Sequence, residues 1–173
     1  MHLETPRLLL RNFTMEDFEG LWALMGDPVT MEYMAPYTEP EAREFLRTFC
    51  VERTPPGAYA AVSRESGQLA AYLLCNQPEE RGVYELGWIV RRDLWRQGVA
   101  CEAVSALLDH LFRTENAHRV VAETIDAGRC VPLMEKLGLR REGVLRQHCR
   151  DREGRWRDLY WYGLLQSDYL AQF

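Results

Sequence analysis

The spacing of hydrophobic residues changes several times along the chain, and each spacing predicts one type of element. Short apolar or alternating segments predict strands, whereas apolar residues three and four positions apart predict amphipathic helices. The predicted strands are residues 7–13, 58–63, 68–76, 83–90, 120–125, 139–149 and 155–165. The predicted helices are residues 14–25, 38–52, 99–112 and 128–137. This order predicts an α+β fold in which helices cover a mixed sheet.

Boundary residues support several of these helices. Thr14 is followed by Asp17, and Thr38 by Glu41, which is the spacing of a capping box at a helix start. Gly138 stands where a left-handed residue commonly ends a helix.

The segment 83–108 is the most unusual part of the pattern. A buried strand, 83–90, is followed by the helix that begins near Val99, and Gly98 stands between them. No Ser, Thr, Asp or Asn directly precedes Gly98, so no side chain caps the first N–H groups of the helix. These groups and the partial positive charge of the helix end suit an anion such as phosphate. The alternative is an ordinary connection whose helix end is hydrated.

Composition narrows the function classes. The net charge of −5 argues against general nucleic-acid binding, which needs a basic face. No segment is long and apolar enough to cross a bilayer, and no cleavable signal pattern is present, so we expect a soluble, cytoplasmic protein. Five cysteines without framework spacing are expected to stay reduced. The four histidines are scattered, and no metal site is expected.

Five motifs occur in an order that is typical of one family. They are ETPRLLLRNF, YELGWIV, WRQGVACEAV, EKLGLRREGVLR and GRWRDLYWYGLL. With them the chain resembles the GNAT superfamily of acetyl-CoA-dependent N-acetyltransferases, and more closely the subgroup that acetylates N-terminal alanines of ribosomal proteins. The resemblance implies one domain, 1–173. It also implies a mostly antiparallel central sheet with a splayed strand pair, flanked by about four helices.

The resemblance also implies where acetyl-CoA binds. The pantetheine arm would pair with the strand that carries Trp88, Ile89 and Val90, and the diphosphate would lie on the amides of residues 96–100. That loop is Arg96, Gln97, Gly98, Val99 and Ala100, preceded by Trp95.

Two positions depart from the pattern of the subgroup. Its usual Asn and Ser fall on Ala127 and Cys130. Ala127 removes a hydrogen bond to the cofactor, whereas the Cys130 thiol can still donate weakly. A small packing role is the alternative for Cys130.

Glu85 is the candidate general base. A carboxylate in a buried strand is costly unless it is paired, and burial would raise its pKa toward neutrality. Similar enzymes often carry a base on this strand. The alternatives are an ion pair with an Arg of a neighbouring strand or a solvated bend.

The acceptor site is predicted from aromatic and acidic residues. Tyr33, Tyr160 and Tyr162 are candidates to line it, and a place in the core is the alternative for the two tyrosines of the last strand. Loops 29–36 and 77–82 could form its rim, where Glu32, Glu79 and Glu80 would attract a cationic amine. An α-amine loses its proton more readily than a lysine side chain, which favours a peptide N-terminus or an amino-acid-like acceptor.

Other functions remain open from the residues. A polyamine or antibiotic could be the acceptor, or the chain could bind acyl-CoA without catalysis. A different enzyme class would transfer acyl groups through Cys130 and His148. A homodimer is left open.

Overall fold

The chain folds around one eight-stranded sheet in the computed structural model, which describes residues 1–77 and 80–172. The strands are β1 (His2–Glu4), β2 (Leu8–Asn12), β3 (Ala58–Ser63), β4 (Leu69–Asn76), β5 (Val83–Val90), β6 (Arg119–Thr124), β7 (Arg140–Arg150) and β8 (Trp156–Leu165). The helices are α1 (Phe18–Met25), α2 (Glu39–Phe45), α3 (Val99–Arg113), α4 (Cys130–Lys136) and α5 (Gln166–Gln172).

The sheet has the order β1-β2-β3-β4-β5-β6-β8-β7, and one neighbouring pair is parallel. That pair is β5 and β6, which align only over Val83–Glu85 and Arg119–Val121. On its other side β5 pairs with β4 as far as Val90. Strands β5 and β6 therefore diverge beyond Glu85, which confirms the splayed pair expected from the resemblance.

Two apolar cores lie on the two faces of the sheet. The larger core includes α3 residues such as Val104, Leu107 and Leu111, together with residues of α4 and α5. The smaller core is formed mainly by α1, α2 and the β3 and β4 residues below them. Helix α3 buries one stripe of its surface against the sheet, as the helical spacing of its apolar residues predicted.

The predicted helix starts are present with small changes in geometry. Asp17 accepts hydrogen bonds from the Thr14 backbone, and Glu41 accepts them from Thr38. A 3-10 turn, Met15–Asp17, precedes α1, and a π-helical segment, Leu46–Glu52, extends α2. Among the helices of the described residues, none has the length and hydropathy needed to span a membrane.

Two terminal elements were not predicted. Strand β1 has three residues, which is too short for an alternating pattern, and it forms because Leu3 pairs with Leu10 of β2. Helix α5 has seven residues, and Tyr169 anchors it by stacking on Phe112 of α3 at 4.9 Å. With α5, the described residues form five α-helices around the sheet, and the expected α+β fold with about four flanking helices is confirmed.

The turn between β7 and β8 is built around a buried carboxylate. The Asp151 side chain is 1% exposed and accepts hydrogen bonds from Arg155 and Arg157, both at 2.9 Å. Backbone N–H groups of Glu153 and Arg155 also donate to it. Burial alone would raise the pKa of Asp151, but these donors hold it well below its ordinary value.

We expect Asp151→Asn to lower the melting temperature by several degrees at pH 7. Because the folded-state pKa is depressed, the ionised carboxylate stabilises the protein above its unfolded pKa of about 4, and this stabilisation is lost as the pH falls further. Thermal melts of both proteins should therefore converge as the pH falls below about 4. Glu153→Gln is the control, because its exposed pair with Arg155 contributes little. A difference that persists unchanged in acid would contradict this account.

Candidate active site

The segment between β5 and α3 is shaped by side chains that fold back on its own backbone. Trp95 Nε1 donates to the Val90 carbonyl at 2.8 Å, and Gln97 Nε2 donates to the Asp93 carbonyl at 2.7 Å. Arg96 and Gly98 both adopt left-handed conformations, with φ of 60° and 78°. The side chains of Trp95 and Gln97 thus use carbonyl oxygens of this segment as acceptors and not its N–H groups.

The start of α3 is uncapped, as its sequence predicted. Gly98 is its N-cap residue and has no side chain to donate or accept. Within residues 1–77 and 80–172, no atom accepts a hydrogen bond from the N–H groups of residues 96–100. These unpaired N–H groups lie at the positive end of a 15-residue helix, which is a suitable place for a phosphate group.

Arg7 and Glu102 hold this loop against the body of the protein. Arg7 Nη1 donates to the Gln97 carbonyl at 2.9 Å, and Arg7 Nε donates to Glu102 at 2.6 Å. The Thr5 hydroxyl donates to the same carboxylate. Partial burial would raise the pKa of Glu102, but the hydrogen bonds from Thr5 and Arg7 keep it below its ordinary value. Arg7 therefore connects the loop, through Gln97, to Glu102 of α3, and the loop is held in place without a ligand.

Strand β5 offers an open backbone edge next to this loop. Beyond Glu85 it has no partner strand on the β6 side among the described residues. Trp88 and Val90 point into the larger core, whereas Ile89 packs on the smaller one. An extended chain that carries amide groups can pair with such an edge as an added strand would. The edge and the uncapped helix start are consecutive parts of the chain.

Glu85 lies where β5 and β6 begin to diverge. Tyr84 and Leu86 face the larger core, so Glu85 faces the side of α1 and α2. Burial raises the pKa of Tyr72 on this side, and the charge of Glu85 raises it further. No described residue forms a hydrogen bond or ion pair with the Glu85 carboxylate, so the alternative of an arginine pair is not observed.

A second carboxylate, which sequence reasoning missed, lies on the same face. Glu123 of β6 is two residues beyond Val121, the register partner of Glu85. Its pKa is raised, first by partial desolvation and then by the charge of Glu85, while His148 acts in the opposite direction. The same signal that drew attention to Glu85, an acidic residue inside an apolar strand, was present in VVAETI.

The turn after β6 is organised by Asp126. Its buried carboxylate accepts hydrogen bonds from the backbone N–H groups of Gly128 and Arg129. Ala127 is exposed in this turn and offers only a methyl group. Burial raises the pKa of the Cys130 thiol, although a hydrogen bond with Thr124 opposes the shift. Cys130 therefore carries a protonated thiol at neutral pH, and no described contact brings His148 to it.

Arg129 joins this turn to two other predicted site residues. Its guanidinium forms ion pairs with Asp126 at 2.5 Å and with Glu32 at 2.8 Å. It also lies 5.5 Å from the ring centre of Tyr33 and 5.0 Å from that of Trp95. Tyr33 is half-buried beside the open end of the splay. Glu32 forms an ion pair with Arg129 and is therefore not a free carboxylate.

The described residues of the two loops that were expected to form the rim lie at opposite ends of the splay. The loop 29–36 meets Arg129 at the open end of the splay, where β6 has ended. The loop 77–82 is tied to the closed end, because the Gly82 carbonyl accepts from the N–H groups of His118 and Arg119. The length of β5, about 23 Å, separates these two ends. Glu79 lies outside the described residues, and Glu80 is exposed at the far end.

The tyrosines of β8 belong to the larger core. Tyr162 is 0% exposed, and its hydroxyl donates to Glu135 of α4 at 2.9 Å. Tyr160 is half-buried on the same face. Tyr162 is therefore a core residue in this structure, on the face of the sheet opposite Glu85, and the half-buried Tyr160 shares its orientation.

A metal centre has no support in the described part of the chain, which contains no group of three or more His, Cys, Asp or Glu side chains placed to hold an ion.

Comparison with known proteins identifies the family to which this chain belongs. Residues 7–140 match the sequence model of the acetyltransferase (GNAT) domain, which is most of the chain. The chain belongs to the GNAT acetyltransferase family. It is 28% identical to YnaD, an uncharacterized N-acetyltransferase of Bacillus subtilis, over 98% of this chain and 99% of the relative. The resemblance drawn from the motifs is confirmed at the level of the family, and the chain is an acyltransferase.

Solved structures share the fold of this GNAT protein. A GNAT acetyltransferase from Bacillus anthracis is 26% identical, with a TM-score of 0.86 over 96% of this chain and 99% of the other. A ribosomal-protein-S5-alanine acetyltransferase from Vibrio fischeri is 14% identical, with a TM-score of 0.82 over 98% of each chain. A spermidine N-acetyltransferase from Vibrio cholerae, solved with CoA and spermine, is 21% identical, with a TM-score of 0.83 over 96% and 99%. The last two structures are less than 25% identical to this chain, so they show that the fold is shared and nothing about its acceptor.

We expect Gly98→Val to weaken acetyl-CoA binding roughly tenfold or more, since hydrogen bonds to a charged group are worth about 1.5–3 kcal/mol each. Valine strongly disfavours the φ of 78° that orients the N–H groups of the loop. Isothermal titration calorimetry measures the effect.

Gly154→Val is the matched control, because Gly154 has a φ of 79° with open space around it and lies in the turn between β7 and β8. Both variants should lose stability, and only Gly98→Val should lose affinity. Unchanged affinity in Gly98→Val would place the anion site elsewhere.

Proposed function

We propose that this GNAT protein transfers the acetyl group of acetyl-CoA to a primary amine, with the diphosphate on the N–H groups of residues 96–100. The observation that carries the proposal is the uncapped, braced start of α3 directly after the open edge of β5. The pantetheine arm would pair with the edge formed by Trp88, Ile89 and Val90. Trp95 supports this path from the loop, and Ala127 borders it without contributing a hydrogen bond.

Amine acetylation requires three conditions at the junction of β5 and β6. The amine must be uncharged before it attacks the thioester carbonyl, the carbonyl must be polarised, and the departing thiolate needs a proton. Glu85 suits the first task, because its carboxylate has no competing partner among the described residues and faces the side opposite the larger core. We assign it the role of general base, acting directly or through water.

Cys130 suits the proton-donor role better than a nucleophilic role. A raised pKa keeps the thiol protonated at neutral pH, whereas a nucleophilic cysteine needs a lowered one. His148 is linked electrostatically to Glu123, which faces away from the larger core that contains Cys130. Direct transfer to the amine is therefore favoured over a covalent acetyl-cysteine.

The first acceptor candidate is an α-amine, in a short peptide or an amino-acid-like molecule. An α-amino group has an ordinary pKa near 8, against about 10.4 for a lysine side chain, so a modest base frees it more readily. Tyr33 and the exposed Met34 offer apolar contact beside the open end of the splay.

A polyamine is the second acceptor candidate, and one observation favours it. Glu85 and Glu123 lie on one face and interact electrostatically, so together they attract an acceptor with more than one positive charge. The Vibrio cholerae structure mentioned above is a spermidine N-acetyltransferase, which makes this class chemically reasonable on the same fold.

We take residues 1–173 as one acetyltransferase domain that acts in the cytoplasm on acetyl-CoA and an amine, without nucleic acid, membrane or metal. Whether it acts as a monomer or a homodimer is decided by measuring its mass in solution.

We expect Glu85→Gln to lower kcat by about 10²–10⁴-fold, which is the usual contribution of a general base. Affinity for acetyl-CoA should stay near the wild-type value. The Glu85 side chain faces α1 and α2, whereas helix α3, whose start would hold the diphosphate, packs on the opposite face of the sheet. The acidic limb of the pH–rate profile should flatten, because this limb reports protonation of the base.

Glu65→Gln is the control, because this exposed carboxylate lies in the turn between β3 and β4. An unchanged pH profile in Glu85→Gln would mean that the amine loses its proton to bulk water.

A matched set of acceptors tests the choice of amine. We expect a peptide with a free N-terminus and no lysine to react faster than an N-blocked peptide with one lysine. Thiol release measures both rates. Faster reaction of the blocked peptide would contradict the α-amine assignment. Activity on spermidine alone, with a KM that rises in Glu123→Gln, would replace it with the polyamine assignment.

A further inference from the structure

We propose that Arg129 is an additional cofactor-binding residue, whose guanidinium donates to an amide carbonyl of the pantetheine arm at the mouth of the splay. This inference rests on the proposed function, because it takes acetyl-CoA as the ligand of the cleft.

The position of Arg129 spans the mouth of the cleft. Trp95 follows β5, and Arg129 follows β6, so a contact between them crosses the gap that opens where the two strands diverge. The guanidinium carbon of Arg129 is 5.0 Å from the ring centre of Trp95. Trp95 is itself anchored to the end of β5 through its bond to the Val90 carbonyl. A chain that runs from the N–H groups of residues 96–100 to the edge of β5 must pass this ring and the arginine that lies over it.

The donors of Arg129 are only partly used. Nε donates to Asp126, and Nη2 donates to Glu32. Among the described residues, no acceptor takes a hydrogen bond from Nη1. The two carboxylates and the Trp95 ring fix the plane of the guanidinium, so little conformational entropy remains to be lost when Nη1 finds an acceptor.

The local charge indicates a neutral acceptor. Asp126 and Glu32 together carry two negative charges beside the single positive charge of Arg129. Additional attraction of a diphosphate by this guanidinium is therefore weak, and the diphosphate already has the N–H groups at the start of α3. Amide carbonyls of the pantetheine arm are uncharged acceptors, and such a chain passes through the gap.

Calorimetric titration with two ligands tests the proposal. Coenzyme A contains the pantetheine arm, whereas 3′-phospho-ADP keeps the phosphates and lacks the arm. We expect Arg129→Ala to weaken CoA binding about three- to tenfold, which corresponds to one hydrogen bond, and to leave 3′-phospho-ADP binding unchanged. Arg129→Lys should lose similar affinity, because lysine lacks the planar fork that the two carboxylates orient.

Two controls distinguish a direct contact between Arg129 and CoA from an indirect effect in which Arg129 only holds the loop 29–36 in place. Glu32→Gln removes the link to the loop 29–36 but leaves Asp126 in place, so CoA affinity should change by roughly twofold or less. Arg152→Ala removes another contact to this loop region, the bond from Arg152 Nη1 to the Pro28 carbonyl, and should have no effect on affinity. Arg152→Ala should keep the melting temperature of the wild type, since Arg152 is exposed, whereas Arg129→Ala should lower it, because the buried Asp126 carboxylate loses its ion pair. Titrations are therefore run well below the melting temperature of each variant.

Several outcomes would overturn the proposal. Equal CoA affinity of Arg129→Ala and the wild type would rule out the proposed contact between Arg129 and the pantetheine arm. Equal losses for CoA and 3′-phospho-ADP would make it a phosphate contact. A loss of CoA affinity in Glu32→Gln as large as in Arg129→Ala would mean that Arg129 acts only by holding the loop 29–36 in place. Failure of the wild type to bind CoA would instead refute the proposed function, which keeps the two failures distinguishable.

Discussion

The short parallel pairing of β5 and β6 is the constraint on which the site depends. The two strands align over three residues each and then separate, while β5 stays paired with β4 along its length. A fully paired β6 would occupy the edge of β5 beyond Glu85 and leave no backbone groups there for a ligand. Because the strands part at Glu85, the backbone edge opens toward the start of α3, and the carboxylate lies at the vertex of the opening.

Charge is separated across this opening. The N–H groups of residues 96–100, at the positive end of α3, favour an anion on one side. Glu85 and Glu123, on the face of α1 and α2, favour a cation on the other. The overall charge of −5 does not reveal this division, since it arises from backbone dipoles and from the placement of two carboxylates. Such a division suits a reaction that joins an anionic acyl donor to a cationic amine.

We propose that different parts of this chain determine its fold and its choice of acceptor. Structures with closely similar folds carry names that refer to a ribosomal protein in one case and to spermidine in another. The shared scaffold is the sheet with its splay, whereas we propose that the acceptor binds at Tyr33, Glu123 and the loop 29–36. Arg129 connects both regions, because it contacts the loop through Glu32 and the cofactor side through Trp95.

Local patterns in the sequence determined most elements of this protein. Seven of the eight strands, the capped helix starts and the uncapped start of α3 follow from apolar spacing, capping residues and Gly98. These features depend on neighbours in sequence, so the sequence alone reveals them. The motifs together also indicated the family, which the comparisons confirmed.

Contacts between distant segments were decided only by the tertiary structure. Strand β1 is too short to show a pattern, and helix α5 has consecutive rather than helically spaced apolar residues; these elements form because Leu10 and Phe112 hold them. The burial of Tyr162, the separation of the two loops and the approach of Glu123 to Glu85 all depend on strand register. Register sets which face each side chain takes and which strand end each loop joins, and a single sequence without its pairing partners does not specify it.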